Sequence, residues 1–540
     1  MKAVGRIALI LLAALIALSA GCAGNGGKNG SNEYAVKDEK LREAVPAEGQ
    51  ERVFYEIFVG SFSDHDGDGT GDLRGIIDRM DYINDGDPAS GRSLGVQGLW
   101  LTPIFRSSSY HKYDVNDYYT VDPAFGTEED LKELISLCHD RGVYLILDLP
   151  INHTGKLNDW FSKFVVAHRS GDTANEYYDV YTWYDGAKEA APAGRVFEKI
   201  AGTEHYYECN FSSDMPELNF DNELAKKLVL EVAEHYLDMG VDGFRFDAAK
   251  YVFFGDHKKS VDFWKWYMGE LRSKKPDVYA VAEVWDGDGI TDMYMETVNC
   301  FDFAISETSG LISEIAHKGD ANRFTGYIEQ YLNKVKSVRS EATITPFITN
   351  HDMDRAAGFL PVSGGFMQMA ANLYILGPGT PFIYYGEELG VRGSRGGSNT
   401  DANRRLAMPW GDEDNVKDPA GASYDQSKRI ESTALEQIAD ENSLYTYYKK
   451  LIMARSANPE IARGEYRALK LAGTKVGGFT STLDGSTVVV LHNPSGSSQT
   501  IDLSALPVSV SELRAVIGME SAELNGSELK LGAQTSVILK

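Results

Sequence analysis

Between residues 51 and 455, short and almost uniformly apolar runs alternate with longer stretches whose apolar residues recur at helical spacing. The runs "VFYEIFVG", "VQGLWLTP", "VYLILDLP", "VDGFRFDA", "VYAVAEVW", "FDFAIS", "TPFITNHD" and "TPFIYYGEE" are eight strand candidates. Strands covered on both faces read this way, whereas half-solvated strands alternate. Stretches such as "EEDLKELISLCHDRG" and "NELAKKLVLEVAEHYLDMG" predict amphipathic helices, each closing on a glycine. Eight strand–helix units fit an α/β fold of the (β/α)8, or TIM-barrel, type. Periodicity alone fits a doubly wound sheet as well; the placement of the polar residues favours the barrel.

The rhythm breaks twice. Residues 151–216, after the third strand, are irregular and rich in aromatics and glycine. Such a length predicts an inserted subdomain rather than a bare loop, leaving 51–150 and 217–455 to the barrel. From 456 to 540 the helical pattern stops, and "KVGGFTSTL", "STVVVLHNP", "SQTIDLS" and "TSVILK" predict a C-terminal antiparallel β-sandwich.

At the N-terminus, Lys2 and Arg6 precede "IALILLAALIALSA", an apolar run short for a membrane span and joined to small residues. Residues 1–21 read as a signal peptide, and "LSAGC" looks like a bacterial lipobox with Cys22 as the lipidated mature N-terminus. An ordinary signal peptide is the alternative. Residues 22–50, rich in Gly, Asn and charge, predict a flexible tether. The expectation is a monomer outside the cytoplasm, held on the outer face of a bacterial membrane through its lipid alone.

The net charge of −26, from 79 acidic and 53 basic residues, repels polyanions and argues against nucleic-acid binding. Cys138, Cys209 and Cys300 give neither a disulfide framework nor zinc spacing. They read as core thiols, with one bridge as the alternative.

Chemistry gathers at strand ends. In "GFRFDAAK", Arg245 and Asp247 are two apart and share a face. A guanidinium beside a carboxylate keeps it ionised, as a nucleophile requires. Glu283, in "AVAEVW", has apolar neighbours that raise its pKa towards that of a general acid. "TNHD" brings His351 and Asp352, and "DLPINH" brings Asp148, Asn152 and His153. In a barrel these ends converge on one face. Singly, each has a structural explanation; together, several buried charges need partners or a task.

The ordered segments "DLPINH", "GFRFDAAK", "EVW" and "TNHD", with "MPELNF" as a fifth, resemble the signature regions of the α-amylase family of glycoside hydrolases (family 13) over roughly residues 51–540. The resemblance implies Asp247 as nucleophile, Glu283 as general acid/base and Asp352 as the third carboxylate, with retention of anomeric configuration. It implies that Arg245, His153 and His351 bind the same sugar, that Tyr113 of "YHKYD" stacks on it, and that Lys250 holds the sugar beyond the scissile bond. The substrate implied is starch or another α-1,4-glucan. Lys250 tilts the reading towards an α-amylase; cyclomaltodextrinases, neopullulanases, glucanotransferases and a non-catalytic glycan-binding lipoprotein are the alternatives. Tyr251 and Glu217 depart from the pattern that supports a structural calcium near Asn152.

A separate acidic loop, "DHDGDGTGD", carries Asp64, Asp66, Asp68 and Asp72. It matches the first half of an EF-hand, but Gly75 stands where the bidentate glutamate belongs and a strand precedes it. A calcium sensor does not fit, and neither does a bare turn. The resemblance implies one structural Ca2+ held by Asp64, Asp66, Asp68, Asp72 and the Thr70 carbonyl.

Overall fold

The computed structural model describes residue 36, residues 38–186 and residues 192–540. The signal-peptide reading and Cys22 lie outside these residues. Eight parallel strands form the centre: β1 (Phe54–Ile57), β2 (Gly98–Leu101), β3 (Tyr144–Leu149), β4 (Gly243–Phe246), β5 (Tyr279–Ala282), β6 (Asn299–Cys300), β7 (residues 345–347) and β8 (Phe382–Tyr384). Seven form a continuous ladder in the order β6-β5-β4-β3-β2-β1-β8. Thr345 then bridges Phe301 just past β6, and Phe347 bridges Phe382 of β8. These two bridges close the sheet into a barrel and exclude the doubly wound alternative.

The sixth strand lies upstream of the predicted "FDFAIS". Asp302 turns its carboxylate to the Tyr327 hydroxyl (3.1 Å) and Ser306 donates to the Asp302 carbonyl (2.8 Å). The chain curls accordingly into a 3-10 turn at Phe303–Ile305.

Strand parity sorts the side chains. Phe54, Trp100, Ile146, Tyr279, Val281, Phe301, Phe347 and Phe382 fill the barrel interior. Tyr55, Leu99, Leu145, Phe244 and Ile383 face outward into the larger core shared with the helices. Two residues further along their strands, Glu56 and Asp148 repeat the inward parity of Phe54 and Ile146. An aromatic plug thus carries a polar layer at the C-terminal mouth.

The insertion after β3 contributes the helix Asp159–Ser170 and a three-stranded antiparallel sheet of Trp183–Asp185, His205–Glu208 and Phe197–Lys199. The C-terminal region holds a five-stranded and a three-stranded antiparallel sheet around a separate core that includes Leu491, Leu529 and Val537. Its strands Glu465–Leu469, Leu513–Gly518, Ala522–Asn525 and Glu528–Leu531 escape the sequence pattern because each is short and only partly buried.

One expectation needs correction, and one alternative falls. The described part of the predicted tether is not loose: Val36 and Leu41 are buried, the Val36 N–H donates to the Gly91 carbonyl (3.2 Å), and Glu43 pairs with Arg514 (2.5 Å). Apolar anchors and a partner charge outweigh the polar composition here. Cys138 and Cys300 are buried free thiols and Cys209 is buried, so the alternative of one bridge among the three falls. Among the described residues no helix is long and apolar enough to cross a membrane.

Gly98 faces inward opposite Phe54, and a Cβ there would lie 2.5 Å from the Phe54 ring. Gly98→Ala is expected to lower the unfolding free energy by about 1–3 kcal/mol through overpacking, read as an earlier urea midpoint. An unchanged midpoint would show that the interior can relax around the added methyl.

Candidate active site

The polar layer opens into a cleft of about 740 Å³. Asp247, just past β4, Glu283, just past β5, and Asp352, just past β7, all line it. Asp247 and Glu283 are joined through one guanidinium. Arg245 Nη1 donates to Asp247 Oδ1 (2.7 Å) and to both oxygens of Asp148 (2.8 and 3.0 Å), while Nη2 donates to Glu283 Oε2 (2.8 Å). Burial raises the pKa of Asp247 to about 6 against the pull of Arg245. Burial likewise raises Glu283 to about 7, with Arg245 opposing and the charges of Asp247 and Asp352 reinforcing. Burial thus lifts both carboxyls above the usual carboxylate range within one cleft.

Asp352 is held differently. Burial would raise its pKa, but protonated His351 (3.1 Å) and Arg405 (Nη2 to Oδ1, 2.7 Å) keep it well below the usual carboxylate range. Burial would lower the pKa of His351, yet Asp352 and Glu56 raise it to about 10. Its Nδ1 sits 2.5 Å from Glu56, and its Nε2 lies 2.7 Å from the Tyr113 hydroxyl. Tyr113 passes a hydrogen bond on to Asp148 Oδ2 (2.8 Å). Glu56, Asp148, Asp247, Glu283 and Asp352 therefore face Arg245, His351 and Arg405, an excess of acid that favours one carboxyl keeping its proton.

The other expected residues divide into two groups. Tyr113, His153 and Lys250 line the cleft. His153 donates from Nε2 to the Tyr113 carbonyl (3.2 Å), and burial lowers its pKa to about 4, leaving it neutral. Lys250 Nζ donates to the Trp285 carbonyl (2.6 Å) and to Asp286 (3.0 Å). Arg245 and His351 are fully buried at the base of the cleft, where Arg245 contacts Asp148, Asp247 and Glu283, and His351 contacts Glu56, Asp352 and the Tyr113 hydroxyl.

Sequence reading missed Arg405, Trp285 and Phe211. Arg405 comes from the irregular stretch after β8 and carries no periodic signal. Trp285 and Phe211, from the β5 loop and the insertion, remain 42% and 45% exposed on the cleft walls. Glu56 could have been found, because it shares the inward parity of Phe54 within an apolar run.

In the acidic loop, one carboxylate oxygen from each of Asp64, Asp66 and Asp72 lies within 4.8 Å of the others. Asp64 also accepts the Gly67 and Gly69 N–H groups (2.8 Å each), and Asp72 caps the helix Leu73–Asp78 through Gly75 N (2.7 Å). Burial, with a contribution from Asp66, raises the pKa of Asp72. An all-oxygen, all-anionic donor set fits a hard cation such as Ca2+. Asp68 does not join the trio; its Oδ1 accepts the Thr70 N–H (2.6 Å). No such trio gathers at Asn152 and Glu217 among the described residues. Glu217 instead accepts Asn210 N and Nδ2 (2.8 and 2.9 Å), and Arg195 pairs with the adjacent Glu208 (2.5 Å).

The family model "Alpha amylase, catalytic domain" matches residues 56–464. The chain is 32% identical over 505 residues to Alpha-amylase 3 of Dictyoglomus thermophilum, covering 90% of this chain and 93% of that protein. It is 34% identical over 372 residues to a 4-alpha-glucanotransferase of Thermotoga maritima, covering 65% of this chain and 74% of the relative. The solved structure of Eubacterium rectale Amy13B superposes with a TM-score of 0.85 at 31% identity, covering 94% of this chain and 99% of that one. With this barrel and these strand-end acids, the chain belongs to the α-amylase family of glycoside hydrolases.

Proposed function

We propose that the protein hydrolyses α-1,4-glucosidic bonds of starch, glycogen or maltooligosaccharides by double displacement. The observation that carries this reading is the single Arg245 guanidinium joining Asp247 to Glu283 in one cleft. Asp247 attacks the anomeric carbon while Glu283 protonates the departing glycosidic oxygen, forming a covalent glycosyl-enzyme. Glu283, now ionised, takes a proton from water, which attacks the same carbon and restores Asp247. Two inversions give net retention. Asp352, held ionised by His351 and Arg405, grips sugar hydroxyls as positive charge develops on the ring. Tyr113 and His153 complete the wall beside that sugar, and Lys250 marks the region beyond the scissile bond.

The 4-alpha-glucanotransferase relative supports a second reading, in which a sugar hydroxyl replaces water in the second step. Chromatography of products from starch, cyclodextrin and pullulan separates the two, and also tests for cyclomaltodextrinase or neopullulanase action. Short maltooligosaccharides released from starch are expected. Rapid cyclodextrin opening with little attack on starch would overturn the preference.

Asp64, Asp66 and Asp72 would hold one Ca2+, with Asp68 and the Thr70 carbonyl as further oxygen donors. Bound there, the ion supplies rigidity to the barrel rim and takes no part in bond cleavage. Export and lipid anchoring through Cys22 belong to the same proposal.

Two further outcomes follow. Asp247 must be ionised and Glu283 protonated, so kcat/KM should fall as pH drops through about 6 and as it rises through about 7. A rate still climbing well above pH 8 would contradict these roles. Chelation should lower the thermal midpoint and added Ca2+ restore it, the ion contributing about 2.7 kcal/mol of stability at a hundredfold excess over Kd. Indifference of the midpoint to both would remove the metal from the account.

A further inference from the structure

Ala248, directly after Asp247, has φ 47° and ψ 38°, a left-handed conformation that side-chain-bearing residues seldom adopt. The turn is tied into the neighbouring strand. The Glu283 N–H donates to the Phe246 carbonyl (2.9 Å), and the Ala249 N–H donates to the Glu283 carbonyl (3.0 Å). Between these two bonds, the Ala248 N–H points at the Glu283 carboxyl and donates to Oε2 (3.1 Å). Arg245 Nη2 donates to the same oxygen (2.8 Å). Oε2 therefore carries two donors, and a proton placed on it would face two N–H groups. Among the described residues, no side chain or backbone N–H is recorded as donating to Oε1.

We propose that Ala248 is a positioning residue whose left-handed backbone reserves Oε2 of Glu283 as an acceptor, so that the proton delivered to the glycosidic oxygen is carried on Oε1. This rests on the reading of Glu283 as the general acid. The charged groups around Glu283 are Arg245 and Asp247 from the end of β4, Asp352 from the end of β7, and Asp148 across Arg245, with Lys250, Asp401, Arg405 and the imidazoles of His111 and His153 on the same cleft. None of them is altered by a change at position 248.

The test replaces Ala248 with Val, whose β-branch disfavours the left-handed region, and with Gly, which adopts it freely. Losing an N–H donor to a carboxylate disfavours its ionised form. Ala248→Val should lower kcat about tenfold and move the alkaline limb of the pH–rate profile up by roughly half a unit, while Ala248→Gly leaves the limb where it is. A loss of kcat with an unmoved limb in A248V would mean that the methyl groups merely obstruct the cleft, and would overturn the proposal. Should A248V fail to fold, an atomic-resolution structure of the unaltered enzyme at pH 5 decides instead. The longer carboxyl C–O bond of Glu283 should be the one to Oε1, and a longer bond to Oε2 would refute the assignment. Glu283→Gln separates this from the underlying reading: if E283Q still cleaves starch, Glu283 is not the acid and the functional reading itself fails.

Discussion

A buried guanidinium sets the terms for the whole site. Arg245 is fully enclosed, and no cation so placed is tolerable without anionic partners around it. Asp148, Asp247 and Glu283 supply them, from three different strand ends. The same contacts that make Arg245 tolerable fix the Asp247 and Glu283 carboxyls in place. Removing the cation would leave several acids crowded in a low-dielectric mouth, where they could not all remain ionised.

A second clamp holds the third carboxylate. His351 is cationic because it lies between Glu56 and Asp352, and Arg405 approaches Asp352 from the opposite side. Tyr113 links the two clamps, bonding Asp148 on one side and His351 on the other. The polar layer is thus one network resting on the aromatic plug, and burial sharpens each interaction within it. Its loops add shape: Phe211 and Trp285 raise apolar walls at the cleft edges, and Lys250 ties the Trp285 backbone down.

The acidic loop after β1 obeys the same electrostatic logic in the open. Asp64 and Asp72 accept backbone N–H groups of the loop itself, which holds their carboxylates close to that of Asp66. The contrast with the region around Glu217 is chemical: there Arg195 brings a positive charge of its own to the neighbouring Glu208.

The eight strands were readable because parallel strands covered on both faces must be apolar throughout, and any charge within or just beyond them is conspicuous. Period-two parity was enough to put Arg245 and Asp247 on a common face, and position at a strand end singled out Glu283 and Asp352. Parity could not say how deep each side chain would lie. Only barrel closure drew Arg245 and His351 to the base of the cleft and left the cleft surface to Tyr113, His153 and Lys250. Arg405, Trp285 and Phe211 entered from loops, where no periodicity constrains direction and packing against distant segments decides everything. The amino-acid order alone determined which residues are charged at strand ends; the closed barrel decided which of them meet, because the distances between strand ends exist only once the sheet has joined itself.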